Sequence, residues 1–141
     1  MFKIKVITIG KVKEAWLLQA LKEYEKRLSS NCLITWVLAK DERDFTALAK
    51  KEDHFVCLDQ KGVLVSSEVL SKKVMALLEQ NGSRLTLLIG GADGIDPLLL
   101  QKADALISLS PLTFTHQMTR LIFLEQLFRA FEIFANSAYH K

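Results

Sequence analysis

Leu85-Thr86-Leu87-Leu88-Ile89-Gly90-Gly91-Ala92-Asp93-Gly94-Ile95-Asp96 reads as a buried strand that stops at two glycines. Where a strand ends in glycines, a ligand can reach backbone that no side chain shields. The plainer alternative is a tight strand-to-helix turn that needs positive φ. A second strand-then-loop, Leu106 to His116, follows it, and the two loops can close on one small ligand between them.

Upstream, Lys3 to Ile9 is rich in β-branched residues and ends at Gly10, the pattern of an opening strand. From Lys13 to Ser29 the period changes. Trp16, Leu17, Ala20, Leu21, Tyr24 and Leu28 recur at helical spacing and form the expected core stripe. Cys32 to Leu38 is a second strand, Lys40 to Asp44 a charged connector, and Phe45, Leu48 and Ala49 mark a short helix. His54 to Asp59 is a third strand, with Asp59-Gln60-Lys61-Gly62 as the turn after it. Ser66 or Ser67 caps the next helix, and Asn81-Gly82 ends it.

Downstream of the glycines, Asp96-Pro97 starts another short helix and Ala105 to Leu109 forms a fifth strand. Ser110 to Thr115 is an extended loop, because the residue before Pro111 avoids the α region. A long helix from His116 to Asn136 and a short tail, Ser137 to Lys141, finish the chain. Strands alternating with helices argue an α/β domain with a largely parallel sheet and helices on both faces. Without a repeat or linker, residues 1–141 read as one domain. The last helix is apolar around most of its circumference, from Met118 and Leu121 to Phe131 and Phe134. Such a helix is buried on several sides, which points to a homodimer through it. A central core helix in a monomer is the alternative.

Composition narrows the function classes. With 19 basic and 16 acidic residues the net charge is +3, too small to prove a nucleic-acid partner. Cys32 and Cys57 are the only cysteines and sit in apolar runs, as small buried hydrophobes in a reducing compartment would. The opening residues have no signal-sequence pattern, and no run of apolar residues is long enough to span a membrane. The expected setting is the cytoplasm.

Several chemistries fail on spacing. Gly90, Gly91 and Gly94 follow the fourth strand as GGxxG, whereas a dinucleotide fingerprint needs GxGxxG after the first. Neither a P-loop nor a GxSxG elbow occurs. His54, His116 and His140 are scattered without a ligand pair, so no metal is expected. What remains is a site of strand-end loops: Leu58-Asp59, Gly90-Gly91 and Leu109 to Phe114. Leu58, Leu109, Leu112 and Phe114 can sandwich a flat ring while backbone groups read its edge, which suits an adenine better than a phosphate. His116 and Arg120, at i and i+4, offer an imidazole and a cation just past this loop, or else a solvated helix start. Tyr139, His140 and Lys141 add a stacking ring, a titratable group and a charge, or else a frayed terminus.

Four ordered motifs carry a resemblance. Leu87 to Gly94 (LLIGGADG), Leu109 to Leu121 (LSPLTFTHQMTRL), Leu124 to Phe131 (LEQLFRAF) and Ala138 to Lys141 (AYHK) closely resemble the RlmH family. These are SPOUT-superfamily methyltransferases acting on a pseudouridine of large-subunit (23S) ribosomal RNA. The likeness runs the full length, including the Leu-Asp-x-x-Gly turn at 58–62. One departure is visible: Thr115 stands where the family has a proline before the histidine.

The resemblance implies a SPOUT-type parallel sheet with a C-terminal trefoil knot, a homodimer, and S-adenosyl-L-methionine as methyl donor. By motif position, Leu58, Gly90, Leu109, Ser110, Pro111, Leu112, Thr113 and Phe114 would contact that donor. Methylation at N3 of the base then nominates His140, Tyr139 and Arg120 for catalysis. His116, Arg120, Tyr139, His140 and Lys141 are nominated for RNA contact. No one of them is singled out as general base. The rival classes are a non-catalytic RNA-binding module in ribosome assembly and a small-molecule methyltransferase.

Overall fold

The computed structural model describes residues 1–135. Five strands alternate with five helices: β1 Phe2–Ile9, α1 Ala15–Leu28, β2 Cys32–Ala39, α2 Glu42–Lys50, β3 Val56–Leu64, α3 Ser67–Gln80, β4 Arg84–Ile89, α4 Pro97–Lys102, β5 Ala105–Ser108 and α5 His116–Phe134. The sheet order is β2-β1-β4-β3-β5 and every paired neighbour is parallel. The α/β reading therefore holds.

Side-chain alternation along the strands divides the interior in two. Ile4 and Val6 of β1, Val56 and Leu58 of β3, and Leu85, Leu87 and Ile89 of β4 face a core shared with α1, α3 and α5. Ile7, Cys57 and Leu88 point the other way, toward Phe45 and Ala49 of α2 and Leu99 of α4. The three interior strands are thus apolar on both faces, as a sheet covered by helices on each side requires. Cys32 and Cys57 are free thiols in this interior, and burial pushes each up to about 12.

The start signals at Ser66 and Asp96 are realised: each accepts a hydrogen bond from a backbone N–H of the helix it precedes. Asp41, inside the expected connector, does the same for α2. Asp41 also corrects a boundary: α2 begins at Glu42, so most of the charged stretch 40–44 is helix cap and first turn rather than connector.

Three further expectations change. Trp16 is 57% exposed, because the buried stripe of α1 runs through Leu17, Leu21 and Leu28 and leaves Trp16 one position out of phase. The expected turn at 59–62 is instead an excursion inside β3. Leu58 and Val63 both register with Ile107, so the strand steps out and returns to the same partner. Gly62 makes the return possible, since a Cβ there would lie 2.6 Å from the Ile107 nitrogen.

The third change concerns α5, which packs on the sheet between α1 and α3. Ser71 Oγ donates to the Ala130 carbonyl at 2.7 Å, and the rings of Phe2 and Phe131 stack 5.7 Å apart. Much of the apolar circumference that suggested a partner subunit is therefore covered inside one chain.

Candidate active site

A cleft of about 1060 Å³ opens at the carboxyl ends of the strands, where open parallel sheets bind their ligands. Its walls come from distant parts of the chain: Lys13 to Leu17, Leu58 to Lys61, Ile89 to Ile95, Leu100, and Thr113 to Thr119. Leu58, Gly90, Thr113, Phe114 and His116 are thereby brought together. Leu109, Ser110, Pro111 and Leu112 precede that wall but do not line the cleft. Their loop is a local turn, with Ser108 Oγ donating to the Ser110 carbonyl at 3.1 Å and Ser110 Oγ accepting from Leu112 N at 2.9 Å. Tyr139, His140 and Lys141 lie outside the described residues.

The glycines work by space more than by φ. Neither Gly90 nor Gly91 has positive φ, whereas Gly94 does, at +79°. The loop folds back on itself, with Gly94 N donating to the Gly91 carbonyl at 3.0 Å. A Cβ on Gly90 would sit 2.8 Å from both the Gly94 carbonyl oxygen and Ile95 Cγ1, and one on Gly91 would sit 2.7 Å from Glu42 Oε1. Burial, then Asp93, then Asp41 raise the Glu42 carboxyl above its ordinary value.

α5 begins at this wall. Thr115 Oγ1 accepts from Met118 N at 3.1 Å, an N-cap bond, and its φ of −62° is the angle a proline ring would impose. The threonine thus holds the angle a proline would impose and adds a cap. One turn later the expected constellation separates. His116 faces the cleft, and its ordinary value is lowered by burial, then by Arg120, then by Lys13.

Arg120 is fully buried and does not line the cleft. Its Nη2 donates to the carbonyls of Ile9 at 2.7 Å and Gly10 at 2.9 Å, while Nε and Nη1 have no partner among the described residues. In this position it clamps the end of β1 to α5 rather than presenting a cation to substrate. Desolvation lowers its ordinary value.

Sequence reasoning missed the wall formed by Lys13, Glu14 and Trp16. The signal was there in part. Trp16 fits the helical stripe only loosely, next to a Leu17 that fits it well.

A family model described as "Predicted SPOUT methyltransferase" matches residues 2–140. The chain belongs to the SPOUT methyltransferases. A protein of Protochlamydia amoebophila named "Ribosomal RNA large subunit methyltransferase H" is 49% identical over 141 residues, covering 100% of both chains. Proteins of the same name from Bifidobacterium adolescentis and Acetivibrio thermocellus are 39% and 37% identical, each over 99% of both chains. At this identity and coverage the chain falls in the methyltransferase H family of SPOUT enzymes. A solved structure of a probable methylase family protein from Haemophilus influenzae Rd KW20 superposes with a TM-score of 0.59 at 14% identity, covering 98% of this chain and 70% of that one. That likeness carries the SPOUT fold alone.

Among the described residues no helix is long and apolar enough to cross a membrane, and no three potential metal ligands cluster.

Proposed function

We propose that this SPOUT enzyme methylates N3 of a pseudouridine in large-subunit ribosomal RNA, on the assembled ribosome, with S-adenosyl-L-methionine as donor. One observation carries the reading: Leu58, Gly90, Thr113 and Phe114, four of the eight expected donor contacts, converge from separate stretches on one strand-end cleft. The full-length match to proteins named for large-subunit RNA methylation supports the substrate class.

The cleft suits such a donor. Gly90 leaves backbone bare at a point where a Cβ would collide with the Gly94 carbonyl, and Leu58, Ile89, Leu100 and Phe114 give apolar surface for a flat ring. The Leu109–Leu112 turn would hold the donor's outer edge. When bound, the donor supplies a methyl group already activated by its positively charged sulfur.

The chain's own residues then have two tasks. They align N3 of the base with that methyl, and they accept the N3 proton as the new N–C bond forms. His116 lines the cleft, and burial, Arg120 and Lys13 disfavour its protonated form, so its neutral ring is available to accept a proton or a hydrogen bond. His140 and Tyr139 remain the proposed residues at the base, with Lys141 as a charge partner. Arg120 acts as a positioning residue, through Ile9 and Gly10.

The proposal extends to a C-terminal trefoil knot, a single domain over residues 1–141, a cytoplasmic setting and a homodimer. In that dimer the tail of one subunit completes the cofactor cleft of the other. A mixture of Gly90→Ala and tail-deleted subunits should then recover activity that neither variant has, and no recovery places the tail in its own subunit's cleft.

The deciding experiment is radiolabelled methyl transfer to ribosomes from cells lacking the protein, with the modified nucleotide mapped. Label on N3 of one pseudouridine is expected. Label elsewhere overturns the target. No transfer, together with no heat of S-adenosyl-L-methionine binding, would favour a non-catalytic RNA-binding module.

A further inference from the structure

The wall formed by Lys13 and Trp16 is unexplained by donor binding. An indole that is 57% exposed at the mouth of a cleft leaves a large apolar face in water. The other tryptophan behaves differently: Trp36 Nε1 donates to Glu25 at 3.0 Å and its ring packs against the core. Lys11 and Lys13 are also exposed, and neither makes an ion pair among the described residues. Lys13 nevertheless acts on the cleft, because its charge is felt by His116.

This lip is held from outside its own segment. Arg120 binds the carbonyls of Ile9 and Gly10, and Gln117 Nε2 donates to the Lys11 carbonyl at 3.1 Å. Three hydrogen bonds from α5 therefore fix the stretch leading into Trp16 relative to the helix that carries His116. A preorganised aromatic face loses little freedom on binding. An exposed ring beside unpaired cations, at the mouth of a reaction cleft, matches a single-stranded polyanion whose bases have flat faces.

We propose that Trp16 and Lys13 form an RNA-binding lip, in which the Trp16 indole stacks on a base adjoining the target nucleotide and Lys13 neutralises a neighbouring phosphate. The inference rests on the RNA methyltransferase reading and deepens it. The proposed donor contacts, Leu58, Gly90, Thr113 and Phe114, are separate residues from this lip, so binding of RNA and of donor should respond to different substitutions.

The test compares the full-length protein with Trp16→Ala, Trp16→Phe and Lys13→Gln, using ribosomes from cells lacking the protein. Trp16→Ala should raise KM for ribosomes about tenfold, with the calorimetric affinity for S-adenosyl-L-methionine changed less than about twofold. Trp16→Phe should recover most of the loss. Lys13→Gln should weaken binding and reduce the salt dependence of log KM by about one unit. An unchanged KM in Trp16→Ala overturns the inference. So does an altered elution volume on gel filtration, because Trp16 would then cover a second copy of the chain. Loss of KM and donor affinity together, with a lowered melting temperature, would assign Trp16 to folding and overturn it too. Failure of the unsubstituted protein to methylate ribosomes is a separate outcome, which refutes the methyltransferase reading and the lip with it.

Discussion

Arg120 Nη2 donates to the carbonyl of Ile9 at 2.7 Å across a sequence separation of 111 residues. The bond joins the end of the first strand to the first turns of the last helix, beneath the wall that carries His116. Because the guanidinium is fully buried, its loss strands two backbone carbonyls as well as opening a cavity. Arg120→Ala should lower stability by about 3 kcal/mol, read from the denaturant midpoint. Arg120→Met should cost less, since both substitutions remove the unpartnered Nε and Nη1 but methionine also fills the space. Equal losses would show that space-filling contributes little here.

Gly90 and Gly91 should separate under the same substitution. An alanine Cβ at Gly90 meets the Gly94 carbonyl at 2.8 Å, backbone that moves only with the whole loop. At Gly91 it meets the end of the Glu42 side chain, which can swing away. Gly90→Ala should destabilise by about 2 kcal/mol and abolish calorimetric binding of S-adenosyl-L-methionine. Gly91→Ala should keep most of both. Similar effects at the two positions would mean that Glu42 is as immovable as backbone.

Local signals were legible wherever they act within a few residues. Ser66 and Asp96 cap helices because a side-chain oxygen beside free N–H groups needs no distant partner. The five-strand α/β plan followed from alternating periods, and the convergence of Leu58, Gly90, Thr113 and Phe114 on one cleft from motif position. Relations set by the whole fold were not legible. Trp16 and Leu17 differ by one position on a helix face, a phase that packing of α1 against β2 and α5 decides. The excursion at 59–62 depends on Ile107 accepting two partners from one strand. Arg120 looked like a surface cation because the carbonyls that bury it belong to Ile9 and Gly10.

Thr115 replaces a residue that would fix the chain by its ring with one that fixes it by a hydrogen bond. Its Oγ1 accepts from Met118 N at 3.1 Å, and its carbonyl accepts from Thr119 Oγ1 at 3.0 Å. Thr115→Ala should cost about 1 kcal/mol and loosen Thr113 and Phe114, raising the Kd for S-adenosyl-L-methionine. Thr115→Ser keeps the oxygen and should restore both. Loss with serine as severe as with alanine would assign the effect to the methyl group instead.

His116 should report on this wall through its titration. Burial, Arg120 and Lys13 all disfavour the imidazolium, so its NMR titration midpoint should fall below the ordinary 6.5. The sign of the linkage follows. Between the lowered folded value and 6.5 the unfolded chain binds the proton and the folded chain does not, so stability rises with pH through that window. The contribution is fully present above 6.5 and is lost as pH falls to the folded value. His116→Gln should flatten that part of the stability curve. Lys13→Gln removes one of the two neighbouring charges and should move the His116 midpoint back upward. A midpoint at or above 6.5 in the unsubstituted protein would mean that the wall does not shield the ring and that the neighbouring charges do not disfavour its protonation.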